Sequence, residues 1–148
     1  MTDFTVVVDS REKKPYSFYG VDVIRNGLQT GDYTIKGYED TFAVERKSLD
    51  DLANTLGAGR KRFKNELSRA ETFDEFAVVI EASEEMLYDR DDDGHCPHYY
   101  SKIWPNAILG TVRKWPRRYS TLEFHWAGDR AGGKAKTLDL LTDWYSDY

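Results

Sequence analysis

The sequence predicts an α/β fold, a central mixed β-sheet flanked by helices, and three features carry that expectation. Residues 4–8 and 76–80 are short apolar runs bounded by polar residues, the pattern of buried strands. Residues 49–56, 60–70, 103–115 and the C-terminal segment repeat apolar side chains three and four positions apart, as helices with one buried face do. Strands come first and then alternate with helices, an order that sandwiches a sheet between helices.

Taken in order, the β-branched run of residues 4–8 ends at Asp9 and forms the first strand. Residues 13–20, with Pro15 and Gly20, read as a loop, and residues 21–25 as a second strand. Gly31 closes the next loop, and residues 33–35 and 42–45 flank a turn at Gly37 as a hairpin. Ser48 is placed to cap a helix in which Leu49, Leu52, Ala53 and Leu56 share a face, and Gly57 and Gly59 stop it. A second helix, residues 60–70, buries Phe63, Leu67 and Ala70 and carries its basic residues around the rest of its surface.

The continuous apolar run 76–80 reads as a central strand covered on both faces, ending at Glu81. An acidic loop then leads to a helix over residues 103–115, with Pro105 in its first turn, where a missing N–H costs nothing. Residues 121–126 form a late strand and residues 127–133 a loop. In the final helix Leu138, Leu141, Trp144 and Tyr145 share a stripe.

The 148 residues fit one domain, 1–148, with no internal repeat or linker. A chain that is 40% hydrophobic and 32% charged is globular, which excludes a disordered tail. No leader pattern opens it, and no apolar stretch approaches the roughly 20 residues of a membrane helix, so an intracellular protein of cytoplasm, nucleoid or nucleus is expected. Cys96 has no second cysteine to pair with.

Net charge is −5, yet it is unevenly spread: residues 1–70 hold 12 Lys and Arg against 11 Asp and Glu, and residues 71–148 hold 9 against 15. Arg60, Lys61, Arg62, Lys64 and Arg69 cluster with Glu66 as the lone acid among them. That segment is a candidate phosphate-binding face, as nucleic acid requires.

Three short signals carry chemistry: Asp9-Ser10-Arg11-Glu12, Gly31-Asp32-Tyr33, and Glu45-Arg46-Lys47 followed by Asp51. Period-2 alternation puts Glu45 and Lys47 on one side of a strand, and the hairpin brings Asp32 to the same point. An Asp, a Glu and a Lys so gathered suit phosphodiester hydrolysis, with Mg²⁺ or Mn²⁺ on hard oxygens activating water and the lysine stabilising charge. Asp9, Asp32 and Glu45 are the candidate metal ligands, with Glu12 supporting them and Arg11 gripping phosphate. Asp51 completes the candidate catalytic set. Arg46 faces the opposite way, either as a salt-bridge partner or, with Arg11 and the basic helix, toward DNA. Singly, each element is ordinary: a Glu-x-Lys is usually a surface ion pair, and Gly-Asp usually a turn.

In this order the motifs resemble those of the XPF-type structure-specific endonucleases, in their nuclease domain. The family pattern Val-Asp-x-Arg-Glu, Gly-Asp-Tyr and Glu-Arg-Lys-x-x-x-Asp is matched by Asp9, Arg11, Glu12, Asp32, Glu45, Arg46, Lys47 and Asp51. Gly59-Arg60 and the helix from Phe63 resemble the family's Gly-Arg-Phe segment, with Lys61 and Arg62 as extra residues. The strand ending at Glu81 and Ile108-Leu109-Gly110 extend the likeness. The resemblance implies a restriction-endonuclease-like fold, a metal-dependent DNA endonuclease acting on forks, flaps or junctions in repair, replication or recombination, and a homodimer or partner subunit. It also implies a rival, a catalytically silent DNA-binding module that positions a partner nuclease. Members continue into a helix-hairpin-helix domain, which a chain ending at Tyr148 is expected to lack.

Other segments are weaker. Asp89, Asp91, Asp93 and Gly94 match half of a calcium loop, but Tyr100 stands where a bidentate Glu is needed. His95, Cys96, His98 and a distant His125 are a poor zinc set. The four tryptophans read as core or interface more readily than as base-stacking platforms. Arg113, Lys114, Arg117 and Arg118 form a second basic cluster, equally a solvated helix end.

Overall fold

The computed structural model describes residues 3–148. Six strands form one mixed sheet: β1 (Thr5–Asp9), β2 (Asp22–Asn26), β3 (Tyr33–Ile35), β4 (Phe42–Lys47), β5 (Glu75–Ile80) and β6 (Leu122–Trp126), in the spatial order β2-β1-β3-β4-β5-β6. β3 runs antiparallel to both β1 and β4, while β4, β5 and β6 run parallel. Four helices cover it: α1 (Leu49–Leu56), α2 (Arg60–Arg69), α3 (Pro105–Arg118) and α4 (Arg130–Ser146).

Strand alternation sorts the core into two layers. Ala43, Phe76, Val78, Ile80 and Leu122 pack under α1, α2 and α3, with Leu52, Leu56, Phe63, Leu67, Ile108 and Trp115. Val6, Val8, Tyr33, Ile35, Phe42, Val44, Ala77 and Val79 face the other way, against Leu140, Leu141 and Trp144 of α4. Because Ala43 lies in the first layer and Val44 in the second, Glu45 and Lys47 continue the α1/α2 face and Arg46 the α4 face. The polar end of β4 therefore carries chemistry on both sides of the sheet.

The hairpin expected around Gly37 is present, and Ser48 caps α1, its Oγ accepting from the Asp51 N–H at 3.1 Å. β2 is the exposed edge, with Val23 and Ile24 each 40% exposed, and its Asp22 and Arg25 are charges of the kind that discourage edge pairing.

Two boundaries differ from expectation. α3 continues past Trp115 through Pro116 to Arg118; Trp115 is buried against Phe63, and the Tyr119 N–H closes the end on the Trp115 carbonyl at 2.8 Å. α4 begins at Arg130, inside the expected loop 127–133. Asp129 caps it by accepting from Gly132 N–H at 2.7 Å. Gly132 and Gly133 mark close packing: a Cβ would lie 1.8 Å from the Ala127 carbonyl at the first and 2.4 Å from the Tyr16 hydroxyl at the second. The buried stripe of α4 also takes in Thr137 and Leu140 beside Leu141 and Trp144.

Candidate active site

The polar residues gather at the C-terminal ends of β1 and β4. Gly31 has φ +83°, and a Cβ there would meet the Ala43 Cβ at 2.7 Å, so only glycine lets the chain turn against β4. That turn delivers Asp32, whose N–H donates to the Val44 carbonyl and whose Oδ2 accepts from the Arg46 N–H, both at 2.8 Å. Asp32 is held up at about 7 by burial and by the neighbouring Glu45 charge; the Arg46 amide opposes the shift, as does Lys47.

Glu45 is 7% exposed. Its Oε2 lies 3.6 Å from the Lys47 ammonium and has no hydrogen-bond donor. Burial pushes its carboxyl well above the usual range; Lys47 opposes this, while the carboxyl of Glu66, in hydrogen-bonding contact, adds to it. Burial also works against the Lys47 charge, but Glu45, Glu66, Asp32 and Asp51 together outweigh it and hold the ammonium protonated. Asp51 itself is exposed on the first turn of α1.

On the other face of β4, the Arg46 guanidinium bridges Glu81 at 2.8 Å and Glu12 at 3.2 Å. Burial works against its charge, but the two carboxylates more than offset that. Glu81 also accepts from the Tyr16 hydroxyl at 2.5 Å and lies 3.7 Å from Arg130. Arg46 is thus committed to carboxylates, as its salt-bridge reading anticipates, and is 17% exposed. Asp9, 5% exposed, accepts from the Leu28 N–H at 3.0 Å and from Arg11 Nε at 3.1 Å. Both its oxygens are engaged, and Arg11 also donates to the Leu28 carbonyl at 2.6 Å. Asp9, Asp32 and Glu45 lie at one end of the sheet but do not form a tight three-oxygen cluster.

The basic helix α2 divides its charges. Lys61 and Arg62 line an open cleft of about 790 Å³ between α1 and α2, together with Lys47 and Glu66. Arg60 instead lies 4.6 Å over the Trp115 ring and donates to Thr111, with Lys64 at 5.7 Å on the same ring. Arg69 lines a separate hollow with Thr30, Asp40 and Phe73.

Glu66 is the member of the cluster that sequence reasoning misses as a site residue. Its signal was present in the register of α2, one position from buried Leu67 and three from buried Phe63, but what it meets is set by packing between distant segments. Tyr16 and Arg130, which support Glu81, are missed for the same reason.

Elsewhere, Asp91, Asp93 and His95 bring ligand-type atoms close together, but all three are exposed and Asp91 accepts from the Asp93 and His95 amides as an ordinary turn. Asp89 pairs with His98, Cys96 donates to the Met86 carbonyl, and His125 pairs with Glu123, so the zinc candidates do not converge. Trp115 and Trp144 are core residues, whereas Trp104 is 78% exposed. No described helix is long and apolar enough to cross a membrane.

Residues 8–132 match the model of the ERCC4 domain family. Among solved structures, the chain is similar to XPF from Aeropyrum pernix, with 23% sequence identity and a TM-score of 0.69, over 96% of this chain and 61% of that one. The likeness establishes a shared fold, that of the XPF nuclease domain, and this chain spans 61% of that relative's length. No curated protein matches the sequence.

Proposed function

Because the chain belongs to the ERCC4 domain family, a family of nucleases, we propose that it is a divalent-metal-dependent endonuclease that hydrolyses phosphodiester bonds in branched DNA. The observation that carries this reading is the Glu45 carboxylate: buried, with one oxygen lacking any donor, 3.6 Å from a lysine ammonium and beside Asp32. A buried carboxylate left short of partners is costly in a purely structural role, and hard oxygens of this kind fit Mg²⁺ or Mn²⁺.

In this reading Asp32 and Glu45 hold the metal, which when bound neutralises charge on the phosphoryl group and acidifies a water. Lys47, kept protonated by its acidic neighbours, stabilises negative charge developing on the phosphate oxygens. Asp9 fixes the end of β1 beside Asp32, since its backbone N–H donates to the Asp32 carbonyl at 2.8 Å and its carboxylate is held by Leu28 and Arg11. Glu12 orients Arg46 and through it the backbone that binds Asp32. Lys61 and Arg62 track the DNA backbone along the cleft, and Arg11, 74% exposed, meets phosphate at the rim. Asp51 supports the Lys47 charge. The protein then acts inside the cell on DNA, as a homodimer or with a partner that supplies further duplex grip.

The substrate reading is tested with end-labelled fork, flap, Holliday-junction and plain duplex DNA, in Mg²⁺, Mn²⁺ or EDTA. Metal-dependent incision near the branch is expected; equal cutting of plain duplex would contradict the branched specificity. Tight binding without incision would favour the silent module.

A further inference from the structure

α2 lays one acidic side chain against the motif residues. Phe63, Leu67 and Ala70 bury its inner face, and Glu66, next to Leu67, emerges half-buried at the flank of that face. There its carboxyl is in hydrogen-bonding contact with that of Glu45, its charge acts on Lys47, and it lines the α1–α2 cleft with Lys47.

Two carboxyl groups pressed together in a water-poor site repel when both are ionised, and something positive must lie between them. The Lys47 ammonium does not fill that place: at 3.6 Å it is too far from Glu45 Oε2 for a hydrogen bond, and that oxygen, on a side chain more than nine-tenths buried, has no donor at all. Hard anionic oxygens converging from two elements at the floor of an open cleft form a coordination shell for a small divalent cation.

We propose that Glu66 is a metal-holding residue, supplying from α2 a carboxylate oxygen to the divalent cation held by Asp32 and Glu45 on the sheet. The proposal rests on the nuclease reading above and adds to it a ligand that none of the three sequence motifs contains. It makes the docking of α2 part of the metal site, so that the basic residues lining the cleft, Lys61 and Arg62, and the cation are positioned by the same helix.

The test is Mn²⁺ binding to the purified chain without DNA, followed by calorimetry and by the electron paramagnetic resonance signal of free Mn²⁺. The wild type binds, Glu45→Ala loses binding, and Glu66→Gln, which keeps the shape of the side chain, weakens binding by about tenfold or more. Thermal unfolding in EDTA is unchanged in Glu66→Gln; should that variant fail to fold, Glu66→Ala is read in the same way. Wild-type affinity in Glu66→Gln alongside loss in Glu45→Ala overturns the role of Glu66 and leaves the nuclease reading standing. A wild-type chain that binds no Mn²⁺ overturns both.

Discussion

Glu45 and Lys47 stand two residues apart on β4 and project to the same face of the sheet, the ammonium 3.6 Å from the carboxylate. The residue between them, Arg46, is tied on the opposite face to Glu12 and Glu81. One six-residue strand thus separates a group of acids and a lysine open to a cleft from a closed ion-pair network.

Lys47 is expected to matter for rate and little for folding. Replacing it with Met removes a cation that acts on the reacting phosphate, and cleavage should fall by about 10²–10³-fold, the cost of losing one such charge-stabilising donor. Single-turnover cleavage and a thermal melt of the same preparation check this. A variant that cuts normally would remove Lys47 from the chemistry.

Arg46 is expected to behave oppositely. Arg46→Met leaves Glu12 and Glu81, whose side chains are 9% and 8% exposed, without their cation, and loss of one partner of a buried pair costs about 3–5 kcal/mol. Urea denaturation measures that loss directly. The double variant with Glu81→Gln should recover part of it. Undiminished stability with weakened DNA binding would instead make Arg46 a phosphate contact.

The charges of α2 should separate in the same experiment. Lys61→Ala and Arg62→Ala, which remove charge from the cleft, weaken DNA binding across sequences and each lower the slope of log affinity against log salt by about 1. Arg60→Ala, which removes the cation over Trp115, should reduce stability with a smaller change in that slope. Fluorescence anisotropy at three salt concentrations resolves the two behaviours.

At the far end of β5, Glu75 is raised from an ordinary value of 4.5 to about 7, by burial first and then by Glu123, with Asp74 and Asp147 adding to it. A carboxyl whose folded value is raised binds its proton more tightly in the folded state, so its stabilising contribution is present below about pH 4.5 and is lost as pH rises toward 7. Glu75→Gln should therefore melt higher than the wild type at pH 7.5, with the difference closing at pH 5. Parallel melting curves would show that the acidic cluster carries no penalty.

Strands and caps were legible because their signals are local. The apolar runs fix β1 and β5, Ser48 caps the helix it precedes, and alternation along residues 43–47 places Glu45 and Lys47 on one face and Arg46 on the other. What sequence reasoning missed depends on contacts between distant segments. Gly132 and Gly133 look like loop residues until Ala127 and Tyr16 are seen to occupy the space a side chain would need. Pro116 looks like a stop until Trp115 is seen buried beneath α2. Glu66 looks like one acid on a basic helix, because nothing within α2 reveals that Glu45 lies across from it. Asp9 reads as a metal ligand by its motif, while the structure shows both its oxygens engaged by Leu28 and Arg11.

The most direct test of the account is single-turnover cleavage of a labelled fork by the wild type and by Glu45→Ala, at matched protein folding and DNA occupancy, with Mn²⁺ and with EDTA. The account predicts incision that requires the metal in the wild type and falls below detection in Glu45→Ala while DNA remains bound. Incision by Glu45→Ala at the wild-type rate would contradict it.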